Sequence, residues 1–234
     1  MELNKIYQGD CLEVMKGIED NSIDLVLVDP PYGINYQSNF RKESFNKIEN
    51  DSSVSLDFID YAYTVLKDGC AMYLFTRWDV YEEWYNKIKE KFKIKNCIVW
   101  YKRGGGIGDL KGAYMFNHEF CIFAVKGRHI LNNKRVSDVW EIKKDAPSKY
   151  KHPTQKPVEL FEKIIVKSSN EGDVVLDPFA GSGTTGVACK NLNRNYILIE
   201  QDENYCKIAE ERLLNTPLHL QSEETISELN KLIK

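Results

Sequence analysis

No run in the 234-residue chain approaches 18 apolar residues, and the opening MELNKIYQGD lacks the apolar stretch of a signal peptide. The expectation is therefore a cytoplasmic protein with no membrane partner. The six cysteines, at 11, 70, 97, 121, 189 and 206, form no C-x-x-C and there are only four histidines, so the usual zinc spacings are missing and no metal is expected. None of these cysteines stands in a local sequence that marks a nucleophile, which argues against covalent thiol catalysis. Proline (7) and glycine (14) are too few for a collagenous or low-complexity chain. An excess of positive charge is also lacking: 32 basic residues against 35 acidic ones give −3, so any nucleic-acid site must be a local patch. What is present is 42% hydrophobic residues, enough in a chain of this length to bury roughly 70% of the unfolded surface as one domain, residues 1–234.

Short apolar runs ending in Asp, Glu or Gly alternate with segments of helical period, a pattern that predicts an α/β fold with a mostly parallel twisted sheet and helices on both faces. The strand candidates are Ile23 to Val28, Cys70 to Thr76, Lys95 to Trp100, Glu119 to Val125, Asp173 to Leu176 and Tyr196 to Ile199. Helical stripes run through Phe58, Ala62, Val65 and Leu66, through Leu160, Ile164 and Ile165, and through Ile208, Leu213 and Leu214. Two stretches, Gly33 to Asp51 and Gly127 to Gln155, lack this rhythm and read as long loops of functional type.

Two loops at strand ends carry chemistry. VVLDPFAGSGTTG, residues 174–186, places Gly181, Gly183 and Gly186 between a strand and a helix, with Glu200 ending the next strand 19 residues after Gly181. The text matches a dinucleotide fingerprint, but Asp177 at the strand mouth would repel a pyrophosphate and suits a cation. S-adenosylmethionine has ribose hydroxyls for Glu200, a cationic ammonium and sulfonium, and no phosphate. No G-K-[ST] is present, which removes a P-loop. A dinucleotide stays open at this point, as does a glycine turn that serves only close packing.

The second loop is SIDLVLVDPPYG, residues 22–33: an apolar strand and then Asp29, Pro30, Pro31 and Tyr32. Prolines fix the backbone and donate no N–H, so the turn offers the Asp29 carboxylate and the Pro30 carbonyl as acceptors beside an aromatic ring. Two acceptors and a stacking face suit an exocyclic amine on a planar ring; a rigid turn with Tyr32 half buried is the alternative. Parallel strands present their carboxyl ends to one side of a sheet, so cofactor and amine would share a crevice.

With D-P-P-Y preceding F-x-G-x-G (Phe179 to Gly183), the chain resembles the S-adenosylmethionine-dependent DNA amino-methyltransferases of the β group, N6-adenine/N4-cytosine type. The resemblance extends to QGDCLEVM, IVWYKRGGG (98–106), NHEFCIFAVKG (117–127), HPTQKPVEL (152–160) and IEQDENYCKIAEERL, so it spans nearly the whole chain. It implies a Rossmann-like methyltransferase fold with circularly permuted motif order. It further implies that Asp177, Phe179, Gly181 and Gly183 line the methionine end of the cofactor, that Glu200 holds its ribose, and that Asp10, beside Cys11, accepts from the adenine amine. Thr154 and Lys156 would reach the cofactor carboxylate, and His118 and Glu119 would lie near the target base.

The same resemblance implies a mechanism and a substrate. Asp29 and the Pro30 carbonyl would accept the two amine hydrogens and so localise the nitrogen lone pair, while Tyr32 stacks on a base flipped from double-stranded DNA. Asp before P-P-Y points to adenine N6, with cytosine N4 as the alternative; an RNA or protein amide acceptor, or a silent DNA-binding module, are further competitors. From Lys126 to Lys156 nine basic residues face three acidic ones, a local excess of six, and a short target-recognition insertion is expected at about 126–151. Candidate DNA contacts are Lys102, Arg103, His118, Arg128, Lys134 and Arg135. So short a region suggests a homodimer, and the restriction-modification setting suggests a cognate restriction endonuclease as partner.

Overall fold

The structure, a computed structural model, describes residues 1–31, 55–104, 111–144 and 155–216. In chain order its elements are β1 (Lys5–Gln8), α1 (Cys11–Met15), β2 (Ile23–Val28), α2 (Phe58–Val65), β3 (Leu66–Thr76), α3 (Tyr81–Ile88), β4 (Lys93–Tyr101), β5 (His118–Val125), β6 (Val139–Glu141), α4 (Val158–Ser168), β7 (Val174–Asp177), α5 (Thr184–Asn191), β8 (Asn195–Glu200) and α6 (Glu203–Asn215). The strands form one sheet of order β1-β8-β7-β2-β3-β5-β4-β6. The β1 to β3 half is parallel throughout. On the other side β5 runs antiparallel to both β3 and β4, and β6 lies parallel to β4.

The continuous apolar runs are explained by burial on both faces. Leu25 and Leu27 of β2, with Tyr73 and Phe75 of β3, join Leu160, Phe161, Ile164 and Ile165 of α4 and Ala188 and Cys189 of α5 in one core. Val26, Val28, Met72 and Leu74 point the other way, onto Met15 of α1, Phe58, Ile59 and Ala62 of α2, and Trp84 and Ile88 of α3. Each such aliphatic side chain contributes about 1.5–3 kcal/mol when fully buried.

Strand order reverses between β7 and β2: the chain leaves β7 toward β8 and leaves β2 toward β3. A crevice therefore opens beyond the carboxyl ends of these two strands, where ligands bind in such sheets. The turn after β2 and the loop after β7 are about 150 residues apart in the chain yet adjacent in space, since Leu25 pairs with Val175 and Val26 with Leu176.

The six expected strands and three helical stripes are all present, with ends moved by a few residues. β1 and β6 are not legible from pattern. β1 is a four-residue, partly polar edge strand defined by its pairing with β8. β6 lies inside the stretch expected as a loop and is pinned by Trp140, which is buried and donates from Nε1 to the Ser137 carbonyl at 2.8 Å. The stretch 33–51 lies outside the described residues.

Candidate active site

β2 delivers Asp29 to the crevice one residue beyond its end, followed by buried Pro30 and half-buried Pro31. Tyr32 and Thr154 lie outside the described residues. β7 ends on Asp177, whose side chain is turned inward and 2% exposed. One of its oxygens accepts from the Phe179 N–H at 3.0 Å and the other from the Thr185 hydroxyl. Burial pushes its carboxyl up to about 7, only partly opposed by those two donors, and Asp29 and Glu200 push the same way. Asp177 thus shapes the turn into α5 as well as lying beneath the crevice.

The glycine loop is fixed from several sides. Gly183, at φ +78, caps α5, and a Cβ there would meet the Ala209 Cβ at 2.9 Å. Gly181, at φ +50, has open space where a Cβ would project. Arg212 of α6 donates to the Ser182 carbonyl at 2.5 Å and to its hydroxyl at 2.8 Å. Glu200, at the end of β8, accepts from Gly181 N–H at 2.8 Å and Asp202 N–H at 2.9 Å. Burial raises its carboxyl and those backbone donors oppose the rise. Phe179 packs edge-on against Phe58 with centroids 5.0 Å apart.

Next to Glu200, β1 brings Gly9, which donates to the Glu200 carbonyl at 2.9 Å, and then Asp10. Asp10 caps α1, accepting from the N–H groups of Leu12 at 2.8 Å and Glu13 at 3.3 Å. Cys11 starts that helix, and its thiol is pushed up to about 12 by burial and by Asp10. Every other cysteine thiol is raised too, burial being the main cause, so none has thiolate character. Among the described residues no group of His, Cys, Asp and Glu is arranged to hold a metal ion.

Lys156, expected to reach the cofactor carboxylate, is buried beside the D-P-P-Y turn. Its ammonium, 5% exposed, pairs with Asp29, reaches Glu119 at 3.3 Å and lies 5.0 Å from the centre of the Phe75 ring. Glu119 in turn pairs with Lys102. Burial alone would raise Glu119, but Lys156 and Lys102 outweigh it and hold the carboxyl at about 2. Lys102 is brought down to about 8 by burial despite Glu119. Neither Glu119's contact with Lys156 nor Gln155, which accepts from the Ser182 hydroxyl at 3.2 Å, was legible as a link between motifs. That bond joins the H-P-T-Q-K-P segment to the glycine loop.

The expected DNA contacts separate into two groups. Because β5 is antiparallel to β3, its start is at the crevice and its exit is at the opposite end: Thr76 pairs with Phe120, whereas Ala71 pairs with Val125. Arg128 and Lys134 consequently lie away from the crevice, near Gly69 and the end of α4. Arg135 leads from there toward the start of β6, lining a cavity with Tyr73, Asn96 and Lys167. Lys126 is not a free surface cation either, since it donates to Tyr63 and Leu66 carbonyls at 2.8 and 2.6 Å. Lys102, at the crevice end, is buried in its ion pair with Glu119. Exposed Arg103, paired with Glu141, and exposed Lys143 and Lys144 remain at that end, where Ile142 N–H bonds the Tyr101 carbonyl. His118 is half-buried between Phe116 and Phe120.

Residues 23–211 match the model of a DNA methylase family that takes in N6 and N4 methyltransferases. The chain is 32% identical over 235 residues to the type II methyltransferase M2.MboI of Moraxella bovis, covering 88% of this chain and 86% of the relative. It is 35% identical over 236 residues to the type II methyltransferase M.HpaI of Haemophilus parainfluenzae, covering 89% and 74%. Its fold matches the crystal structure of the M1.HpyAVI–SAM complex with a TM-score of 0.70 at 30% identity, over 89% of this chain and 99% of that one. The cytosine-N4-specific PvuII DNA methyltransferase matches with a TM-score of 0.73 at 18% identity, over 97% and 92%, a likeness of fold alone.

Proposed function

The chain belongs to the DNA methylase family, and on that premise we propose that it moves the methyl group of S-adenosylmethionine to N6 of an adenine flipped out of double-stranded DNA. The observation that carries this reading is the convergence of Asp29 with Asp177, the glycine loop and Glu200 at the strand-order reversal. The residues fit the cofactor: Gly181 leaves room for close approach, Glu200 is an oriented carboxylate suited to ribose hydroxyls, and Asp177 beneath the crevice, its carboxyl raised by burial, would be drawn to its ionised form by a cationic ligand. When bound, the cofactor supplies a methyl group made electrophilic by the adjoining sulfonium.

The chain's own residues handle the amine. N6 is a weak nucleophile because its lone pair is spread into the ring. An Asp29 oxygen and the Pro30 carbonyl, accepting one hydrogen each, draw the nitrogen toward a pyramidal shape, and their hold strengthens as it gains positive charge. Tyr32 is proposed to stack on the extruded base, offsetting an unstacking cost of a few kcal/mol. The raised thiols remove the attacking cysteine that cytosine C5 methylation needs.

The D-P-P-Y turn placed ahead of the glycine loop supports assignment to the β group. A single domain, a cytoplasmic location, no metal, a homodimer and a cognate restriction endonuclease complete the proposal. The dimer is proposed because the recognition segment expected at about 126–151 is short, so one copy would have little with which to read a long site. The test is digestion of DNA treated with the protein and labelled cofactor: N6-methyladenine is the expected nucleoside. N4-methylcytosine would overturn the choice of base, and label found only in RNA or protein would overturn the choice of polymer.

A further inference from the structure

Four charged side chains from four separate elements meet at the inner wall of the crevice in the order Asp29, Lys156, Glu119, Lys102. They come from the turn after β2, the residue pair ahead of α4, the second residue of β5 and the residue after β4. Lys156 and Lys102 are 5% and 9% exposed at the side chain, Glu119 15%, and Asp29 23%. Charge alternates along the row and sums to zero, so no charge is buried without a partner.

Such a row has a consequence for Asp29 that a lone ion pair would not have. An ammonium bound to one carboxylate alone draws its electron density and competes for the lone pairs that must accept from the amine. The Lys156 ammonium is divided between two carboxylates, and Glu119 is itself held on its far side by Lys102. The Phe75 ring, its centre 5.0 Å from the ammonium, adds a further attraction that helps to hold the cation between the two carboxylates.

We propose that Glu119 is a positioning residue for Asp29, acting through Lys156, whose ammonium it shares so that the Asp29 carboxylate is anchored without losing its strength as an acceptor. The inference rests on the reading of Asp29 as the amine acceptor. Glu119 touches neither amine nor cofactor in this scheme. Lys144 also acts on Glu119 and on Lys102 through its charge, and belongs to the same field.

The test is single-turnover methyl transfer by the full chain, with tritiated S-adenosylmethionine and genomic DNA from a methylation-deficient host, beside calorimetric cofactor affinity. Glu119→Gln is expected to slow transfer by about 10- to 100-fold with cofactor affinity within about threefold, and Glu119→Asp to recover most of the rate. In a Lys156→Met background the same Glu119→Gln change is expected to add less than about threefold, because its route to Asp29 is already cut. Wild-type transfer by Glu119→Gln, or effects of the two changes that simply multiply, overturns the proposal. Asp29→Asn run alongside separates the two readings: if it transfers at the wild-type rate the acceptor role fails, and if it is inactive while Glu119→Gln transfers at the wild-type rate, only the positioning role fails. Should Glu119→Gln not fold, the wild-type protein with ¹⁵N-lysine decides by NMR. Coupling of the Lys156 ammonium to both carboxyl carbons supports the shared arrangement, and coupling to one alone overturns it.

Discussion

Replacing Asp177 by Asn tests how a buried carboxylate sets the pH dependence of this fold. Asp177 is 2% exposed, and its carboxyl is raised by burial from 3.8 to about 7. The raised value fixes the sign. Below pH 3.8 the folded and unfolded chains both hold the proton, and the favourable contribution is present in full. As pH rises from 3.8 to 7 the unfolded chain releases its proton while the folded chain keeps it, so stability declines, with a slope approaching −1.36 kcal/mol per pH unit. Above 7 the whole contribution, roughly 4 kcal/mol at ~1.36 kcal/mol per pH unit, is gone. Asparagine carries no titrating proton and can keep both contacts, its oxygen accepting from Phe179 N–H and its amide donating to the Thr185 hydroxyl. The measurement is urea denaturation of both proteins from pH 4 to 8.5. Glu119, held at about 2, contributes stability that is lost as pH falls below 4.5, but it does so in both proteins and cancels in the difference. That difference is expected to grow from near zero at pH 4 to roughly 4 kcal/mol in favour of the variant at pH 8. Cofactor affinity should move oppositely: a cationic ligand favours ionised Asp177, so wild-type affinity rises toward pH 7, by at most about tenfold per unit, and the variant binds weakly at every pH. Parallel stability curves for the two proteins would refute the buried, proton-retaining carboxylate.

Asp29→Asn should lower single-turnover methyl transfer by roughly 100- to 1,000-fold or more while leaving cofactor affinity within a few fold, because it addresses the amine; near-wild-type transfer would refute the acceptor role. Joint replacement of Arg103, Lys143 and Lys144 by Ala should flatten the slope of log K for DNA against log salt by up to about three units, each phosphate contact contributing roughly −0.9. The corresponding change at Arg128, Lys134 and Arg135, at the other end of the sheet, should leave the slope unaltered. The reverse pattern would move the DNA face to the opposite end of the molecule.

The local features were legible because they are local. Ile23 to Val28 appears as the strand expected, since an apolar run short enough for a strand and closed by Asp-Pro-Pro has few other ways to bury both its faces. The glycine loop was readable for a similar reason: left-handed backbone at Gly181 and Gly183 is a demand on the residue itself. The convergence of Asp29 with the glycine loop follows from a general property of parallel sheets, even with the motifs in permuted order. What composition could not carry was direction and partnership. The basic excess from Lys126 to Lys156 suggested one continuous DNA face, but the antiparallel course of β5 puts Arg128 and Lys134 at the far end and spends Lys126 on backbone carbonyls. Lys102 reads in sequence as a candidate DNA contact beside Arg103, and Lys156 as a ligand for the cofactor. Both are buried against Glu119, and Lys156 also against Asp29, partners that neither reading contained. Charge is a property of a residue and is visible in the chain, whereas its counter-ion is chosen by strands that are distant in sequence and meet only when the sheet assembles.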